Sequence, residues 1–267
     1  MNDQFYIVLP SNSSMQLYPD NRISSFKVNL SNPLEFNSSK WEVALSEVQF
    51  LHSWYNVRKS KNIIIKTIDH PTPDETSITL PKDFKPNNGF GRIVSNFEIP
   101  VGYYEHTKDL INMINDIQKV RPVKFTQGNL DKKVRMEIPK GVTLDLKAQD
   151  IGRCLGFEPK NYPEGHYISQ YQPSKLYNSI YIYTDIIENQ NVGDYKVPLL
   201  RIIPVTSKYG EVCCVKYDKP HFFPLSRNRI QTIEMDLRDE SGELISFEGG
   251  RSIITLVFRR KPTKFYD

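Results

Sequence analysis

Residues 233–250, IEMDLRDESGELISFEGG, decide between two kinds of protein. Ile233, Met235 and Leu237 are apolar, and Glu234, Asp236 and Arg238 between them are charged. That period of two is a strand with one dry face and one wet face. Residues 239–242 follow as a turn, with Gly242 free to take the positive φ that tight hairpins demand. Residues 244–247 are expected to form the return strand, and Gly249-Gly250 a corner into one last strand. The same acids also suggest an active-site loop, because a glycosidase needs two carboxylates facing a cleft. Asp236 alternates outward, however, and Asp239 and Glu240 sit in the turn. The stretch is therefore taken as a β-hairpin with solvated turn acids.

The strand period recurs on both sides of the chain. Residues 5–9 are a short apolar run stopped by Pro10, and SNSSMQLYPDN is a loop of residues that bond their own backbone. Phe26, Val28 and Leu30 alternate with Lys27 and Asn29. Trp41, Val43 and Leu45 alternate with Glu42, Ala44 and Ser46. Residues 62–68 hold three consecutive isoleucines, as in a strand covered on both faces. After Pro173 the pattern returns in LYNSIYIYTDII, YKVPLLRIIPV, GEVCCVKY, IQTIEMDL and SIITLVFR.

The middle has a different period. Leu110, Met113, Ile114 and Ile117 share one helical face, with Thr107 as the expected N-cap and Pro122 beyond the end. Val134, Met136 and Ile138 make another strand. AQDIGRCLGF suggests a short helix, with Ile151 and Leu155 on one face and Gly156 as its left-handed cap. The expected fold class is mainly β: a single jelly-roll β-sandwich, eight strands in two Greek keys, with an inserted α/β segment. Residues 1–75 form its first part. Residues 76–170 form the α/β insertion, with one amphipathic helix near 107–120. Residues 171–267 form the second part and a basic C-terminal tail.

Composition agrees with a folded β protein. The chain has 267 residues, 39% hydrophobic and 25% charged, with 15 Tyr, 14 Phe and 18 Pro. Tyr and Phe suit half-buried pleated surfaces, and Pro suits loops and edge strands. A net charge of +4 with both signs interspersed does not mark a nucleic-acid binder. The N-terminus lacks a secretory pattern, and no apolar run spans a bilayer. Three cysteines without a signal peptide indicate a reducing compartment. Synthesis in the cytosol, without secretion, is expected.

A search for chemistry returns little. None of the five histidines, His52, His70, His106, His166 and His221, lies three to five residues from another His or Cys. No zinc spacing, nucleophile elbow or phosphate loop is present. Neither catalysis nor a metal or cofactor is expected. The candidate interface residues are Trp54 and Tyr55 with Arg58 and Lys59, and the basic run Arg259, Arg260 and Lys261. Aromatics beside cations can bind bases, sugars or another protein. The alternatives are that Trp54 packs in the core and that the basic run is a solvated tail.

Three segments carry a resemblance. They are YIVLPSNSSMQLYPDNRISSFKVNLSNPLEF running into WEVALSEVQFLHSWYNV, then NVGDYKVPLLRIIPV, then FPLSRNRIQTIEMDLRDESGELISFEGGRSIITLVFR. In this order they resemble the minor capsid protein, or penton, of Polinton (Maverick) elements and related small double-stranded DNA viruses. The most specific parts are the PSNSS that follows the first strand, the WEVAL strand, and the ending D-x-x-G-x-x-x-x-F-x-G-G. The resemblance implies a single jelly roll that assembles as a homopentamer at the fivefold vertices of an icosahedral capsid. Its partners would be itself and a double jelly-roll major capsid protein, and its location the virion. It implies no enzyme and no cofactor. The alternative reading is a jelly-roll module binding a carbohydrate or host receptor, with Trp54 and Tyr55 or a loop of the insertion as its platform.

Overall fold

The computed structural model describes residues 4–57, 62–68, 92–118, 123–146, 150–173 and 178–262. In chain order, β1 (Gln4–Pro10), β2 (Ser25–Glu35) and β3 (Trp41–Leu51) come first. Next are β4 (Asn62–Ile68), β5 (Arg92–Glu98), helix α1 (Thr107–Ile117), β6 (Lys124–Gln127), β7 (Val134–Ile138) and β8 (Val142–Asp145). Helix α2 (Asp150–Cys154), β9 (Asn161–Tyr162) and β10 (Gly165–Ile168) complete the middle. The last part holds β11 (Ser179–Thr184), β12 (Gln190–Val192), β13 (Tyr195–Val197), β14 (Leu199–Pro204) and β15 (Val212–Lys216). It ends with β16 (Phe223–Pro224), β17 (Arg229–Arg238) and β18 (Ser252–Arg260).

Two units emerge: residues 1–54 with 177–267, and residues 55–176. The breaks fall at 54/55 and 176/177, whereas the sequence suggested 75/76 and 170/171. The reason lies in β4, which pairs with β5 and β8 of the second unit.

The first unit is a jelly roll. One sheet runs β1-β18-β3-β15, with the short β16 also on β3, and the other runs β14-β11-β17-β2. Successive long strands alternate between the sheets, except β11 and β14, which are neighbours. That is the order of two interleaved Greek keys. The alternation read from residues 233–237 is what builds its core. Ile233, Met235 and Leu237 are fully buried, as are Ile180 and Ile182 on β11, Val43 and Val48 on β3, and Ile254, Leu256 and Phe258 on β18. Buried residues on β3 are two apart at Val43 and Leu45 but three apart at Leu45 and Val48, because the register with β18 shifts between Thr255 and Leu256. A bulge of this kind keeps both halves of a long strand facing inward.

The hairpin of the opening stretch differs in one respect. Gly242 takes φ +85° and Gly250 φ +88°, as the turn and corner require. Residues 244–247 do not form a strand. To β17 they make a single bridge, Arg238 to Leu244, and Ile245 N donates to Leu237 O at 3.0 Å. The chain then leaves the sheet, placing Phe247 against Phe50 and Trp54.

The second unit has its own core. It combines a β10-β7-β6 sheet, a β5-β4-β8-β9 sheet and the two helices. Leu110, Ile111 and Ile114 of α1 are buried with Val134, Met136, Ile138 and Leu155. The N-cap of α1 is His106, without a side-chain cap bond, and Thr107 is already helical. Gly156 has φ +82°, and a Cβ there would lie 2.2 Å from the Tyr171 carbonyl oxygen, so only glycine fits. The side chains of the three isoleucines of β4, His70 and Pro122 lie outside the described residues.

Candidate interaction surface

The two sheets of the jelly roll end on four edge strands: β1 and β15, and β2 and β14. An edge offers unpaired N–H and C=O groups, which are a template for another strand unless they are covered. β2 is covered by its own preceding loop. Asn21 Nδ2 donates to Lys27 O at 2.9 Å, and Lys27 N donates to Asn21 Oδ1 at 2.9 Å. The carboxamide thus takes the place of a neighbouring strand. Two residues on, Asn29 N donates to Ser14 Oγ at 3.0 Å. Ser14 is the last residue of the PSNSS stretch, and Asn and Ser side chains bond backbone readily. β14 is blunted differently: Pro198 precedes it and Pro204 ends it, and proline has no N–H to offer.

β1 also ends on a proline, Pro10, but residues 4–9 and all of β15 keep their backbone N–H groups. Each pairs on one side only, and no side-chain clamp meets either backbone among the described residues. Their outward rows, Gln4, Tyr6 and Val8 on β1 and Val212, Cys214 and Lys216 on β15, include large apolar side chains. Tyr6 is 57% and Val8 56% exposed on β1, and Val212 is 66% exposed on β15. No other large apolar side chain of that sheet is exposed. Sequence reading missed these residues, although a signal was present. QFYIVLP is apolar on both faces, so a strand with only one buried face had to expose Tyr6 and Val8.

The second unit uses the same clamp three times. Asn115 exchanges two bonds with the backbone of Phe125, at 2.9 and 3.0 Å. Gln118 does so with Val123, at 3.0 and 2.7 Å, and Asn56 with Tyr104, at 2.8 and 2.9 Å. Of these, the Asn115 clamp meets a sheet edge, β6, with the Gln118 clamp just before it, and the Asn56 clamp holds a loop.

The interface residues suggested by sequence separate. Trp54 is 3% exposed, stacked on His52 at 4.0 Å and edge-on to Phe247 at 5.4 Å. It is a core residue of the jelly roll and presents no platform. Tyr55 is half-buried, and Arg58 and Lys59 lie outside the described residues. Arg259 is tied down: its Nε donates to Glu42 Oε1 at 2.6 Å, and its guanidinium lies 3.4 Å from the centre of the Phe222 ring. Arg260 is exposed, with its guanidinium 5.7 Å from the Trp41 ring. Lys261 N donates to Lys40 O at 2.9 Å. The basic run therefore begins as part of the sheet rather than as a solvated tail.

Several titratable groups are engaged in structure. Asp239 Oδ1 accepts from Ser241 N, Ser241 Oγ and Glu243 N at 2.8, 2.6 and 3.0 Å. Asp236 pairs with Arg238 at 2.6 Å, and Lys27 with Glu234 at 3.1 Å, which raises the Lys27 pKa. Burial pushes the Tyr183 phenol and the Cys213 thiol up. Cys214, on the outer face, is also pushed up, by partial desolvation and by the Glu47 carboxylate beside it. Among the described residues no three His, Cys, Asp or Glu converge as a metal site. No described helix is long and apolar enough to cross a membrane.

No protein-family model matches the sequence, and no match is found among curated proteins. Among solved structures, the SeMet-labelled mavirus penton protein is similar over 97% of this chain and 100% of that one. The identity is 10% and the TM-score 0.48, a likeness too low to bear on function.

Proposed function

We propose that this chain is a structural capsid subunit, a minor capsid (penton) protein that closes into a homopentamer at the fivefold vertices of an icosahedral shell. In that setting its neighbours are four copies of itself and a double jelly-roll major capsid protein. The observation that carries the reading is the jelly-roll strand order, β1-β18-β3-β15 facing β14-β11-β17-β2, with bare apolar edges on one sheet. The three sequence segments that resemble pentons fall on β1–β3, β12–β14 and β16–β18, so apart from β12 and β13, which pair as a separate hairpin, they lie in that sandwich.

Fold alone does not give function, since lectins and cupins also use jelly rolls. The distribution of surface groups favours assembly over ligand binding. Trp54, the aromatic that a sugar-binding reading needs, is in the core. The exposed apolar side chains of the β1-containing sheet line its edges, where a neighbouring subunit can cover them. A ring of five needs a head-to-tail contact that closes, and permanent interfaces of that kind bury more than about 2,000 Å².

Electron microscopy of the full chain, alone and co-expressed with the major capsid protein, tests the reading. Five-membered rings, or density for this chain at the vertices of the shells, are expected. Shells that close without it, together with a particle that stays monomeric at high concentration, would overturn it.

A further inference from the structure

We propose that copies of this chain join through the two edges of one sheet, β15 of one copy taking β1 of the next as an added antiparallel strand. The proposal rests on the ring reading above and supplies its contact. The occupant is a second copy because both halves of the contact lie on this chain. β1 and β15 terminate the same sheet, and each has a strand partner on one side only. Every neighbouring pair between them is antiparallel, so β1 and β15 run in opposite directions. A second copy set beside the first therefore presents its β1 antiparallel to β15. The partial charges then complement each other, N–H groups of one edge meeting C=O groups of the other. Such a contact is heterologous: copies add head to tail, and the series closes when the rotation per copy allows.

The other sheet lacks a bare pair of edges, because β2 is covered, although Ile202 on the β14 edge is 43% exposed. The Asn21 carboxamide occupies the β2 edge at Lys27, and β14 lies between prolines. Side chains also fix a register. Setting Tyr6 opposite Cys214 places Gln4 opposite Lys216 and Val8 opposite Val212. All six belong to the outward rows of their strands, so the pleats match. In this register the exposed apolar residues of the sheet cover one another. Strand addition over five residues gives direction and register, and the flanking loops supply the remaining area of the ring contact.

The test uses the full chain carrying Tyr6→Cys, with native Cys214 as the partner thiol. Directly opposed residues have Cα atoms about 4.5–5.5 Å apart, within disulfide reach. Under mild oxidation a non-reducing gel should show a ladder up to five chains. The ladder should vanish with reductant and in Tyr6→Cys combined with Cys214→Ser. Val8→Lys with Val212→Lys should shift the native mass from ring to monomer while the circular dichroism is unchanged. A particle of five chains without cross-links overturns the edge contact and leaves the ring reading standing. Links that persist in the Cys214→Ser background join two β1 strands and overturn it as well. A monomer without cross-links overturns both.

Discussion

Asp239 shows how an acid that resembles a catalytic group is consumed by a turn. Its Oδ1 accepts three hydrogen bonds from residues 241 and 243, and the side chain is 8% exposed. The sequence located the turn and its Gly242, but it suggested a solvated acid where the structure has a buried one. Composition of the turn does not reveal burial, because Asx-type bonding removes the carboxylate from water without a change of residue type. Asp239→Ala should lower stability by about 1–3 kcal/mol in urea unfolding, since it removes three hydrogen bonds to a carboxylate that hold the turn. Glu240→Ala, at an exposed position of the same turn, should stay within about 0.5 kcal/mol. The cysteines offer a second check at this scale. Cys214 should react with a thiol reagent in the folded chain, and Cys154 and Cys213 only on unfolding. The Cys213 pKa is raised above its ordinary 9.0 by burial. Its thiol therefore favours the folded state below about pH 9, and that contribution is lost as pH climbs through the higher folded value. Stability measured across pH 8–10.5 should fall at the alkaline end, and less so in Cys213→Ala.

At the scale of elements, what the chain made legible was what depends on local period. The alternations at residues 233–237 and 134–138, and the helical face of Leu110 and Ile114, all describe buried faces correctly. The return strand at 244–247 failed because a hairpin needs partners along its length, and there the chain turns away to pack Phe247. The carboxamide clamps were not legible at all. Asn56 and Tyr104 are 48 residues apart, and nothing local marks an Asn that will replace a strand. Trp54 lay in the same blind spot, since an aromatic beside basic residues fits a surface and a core equally well. Asn21→Ala removes two bonds from the β2 edge. It should cost about 1 kcal/mol and, by uncovering the edge, raise self-association measured by light scattering.

For the whole molecule, the strand order was the least local property of all. β1 pairs with β18 from Gln4–Arg259 to Pro10–Ile253, so closing the sandwich pairs its first and last strands, with the second unit between them in sequence. Period-two patterns give strands and their faces but not their neighbours. The jelly roll was inferred because strands flank an α/β middle, and the pairing establishes it. Assembly depends on which edges the fold covers and which it leaves bare. The native mass of the full chain is the most direct measurement of that claim. The account predicts a particle of five times 31.1 kDa that falls to the single-chain mass when β1 and β15 are charged by Val8→Lys and Val212→Lys. A single-chain mass for the unaltered protein at every concentration, with or without the major capsid protein, would contradict it.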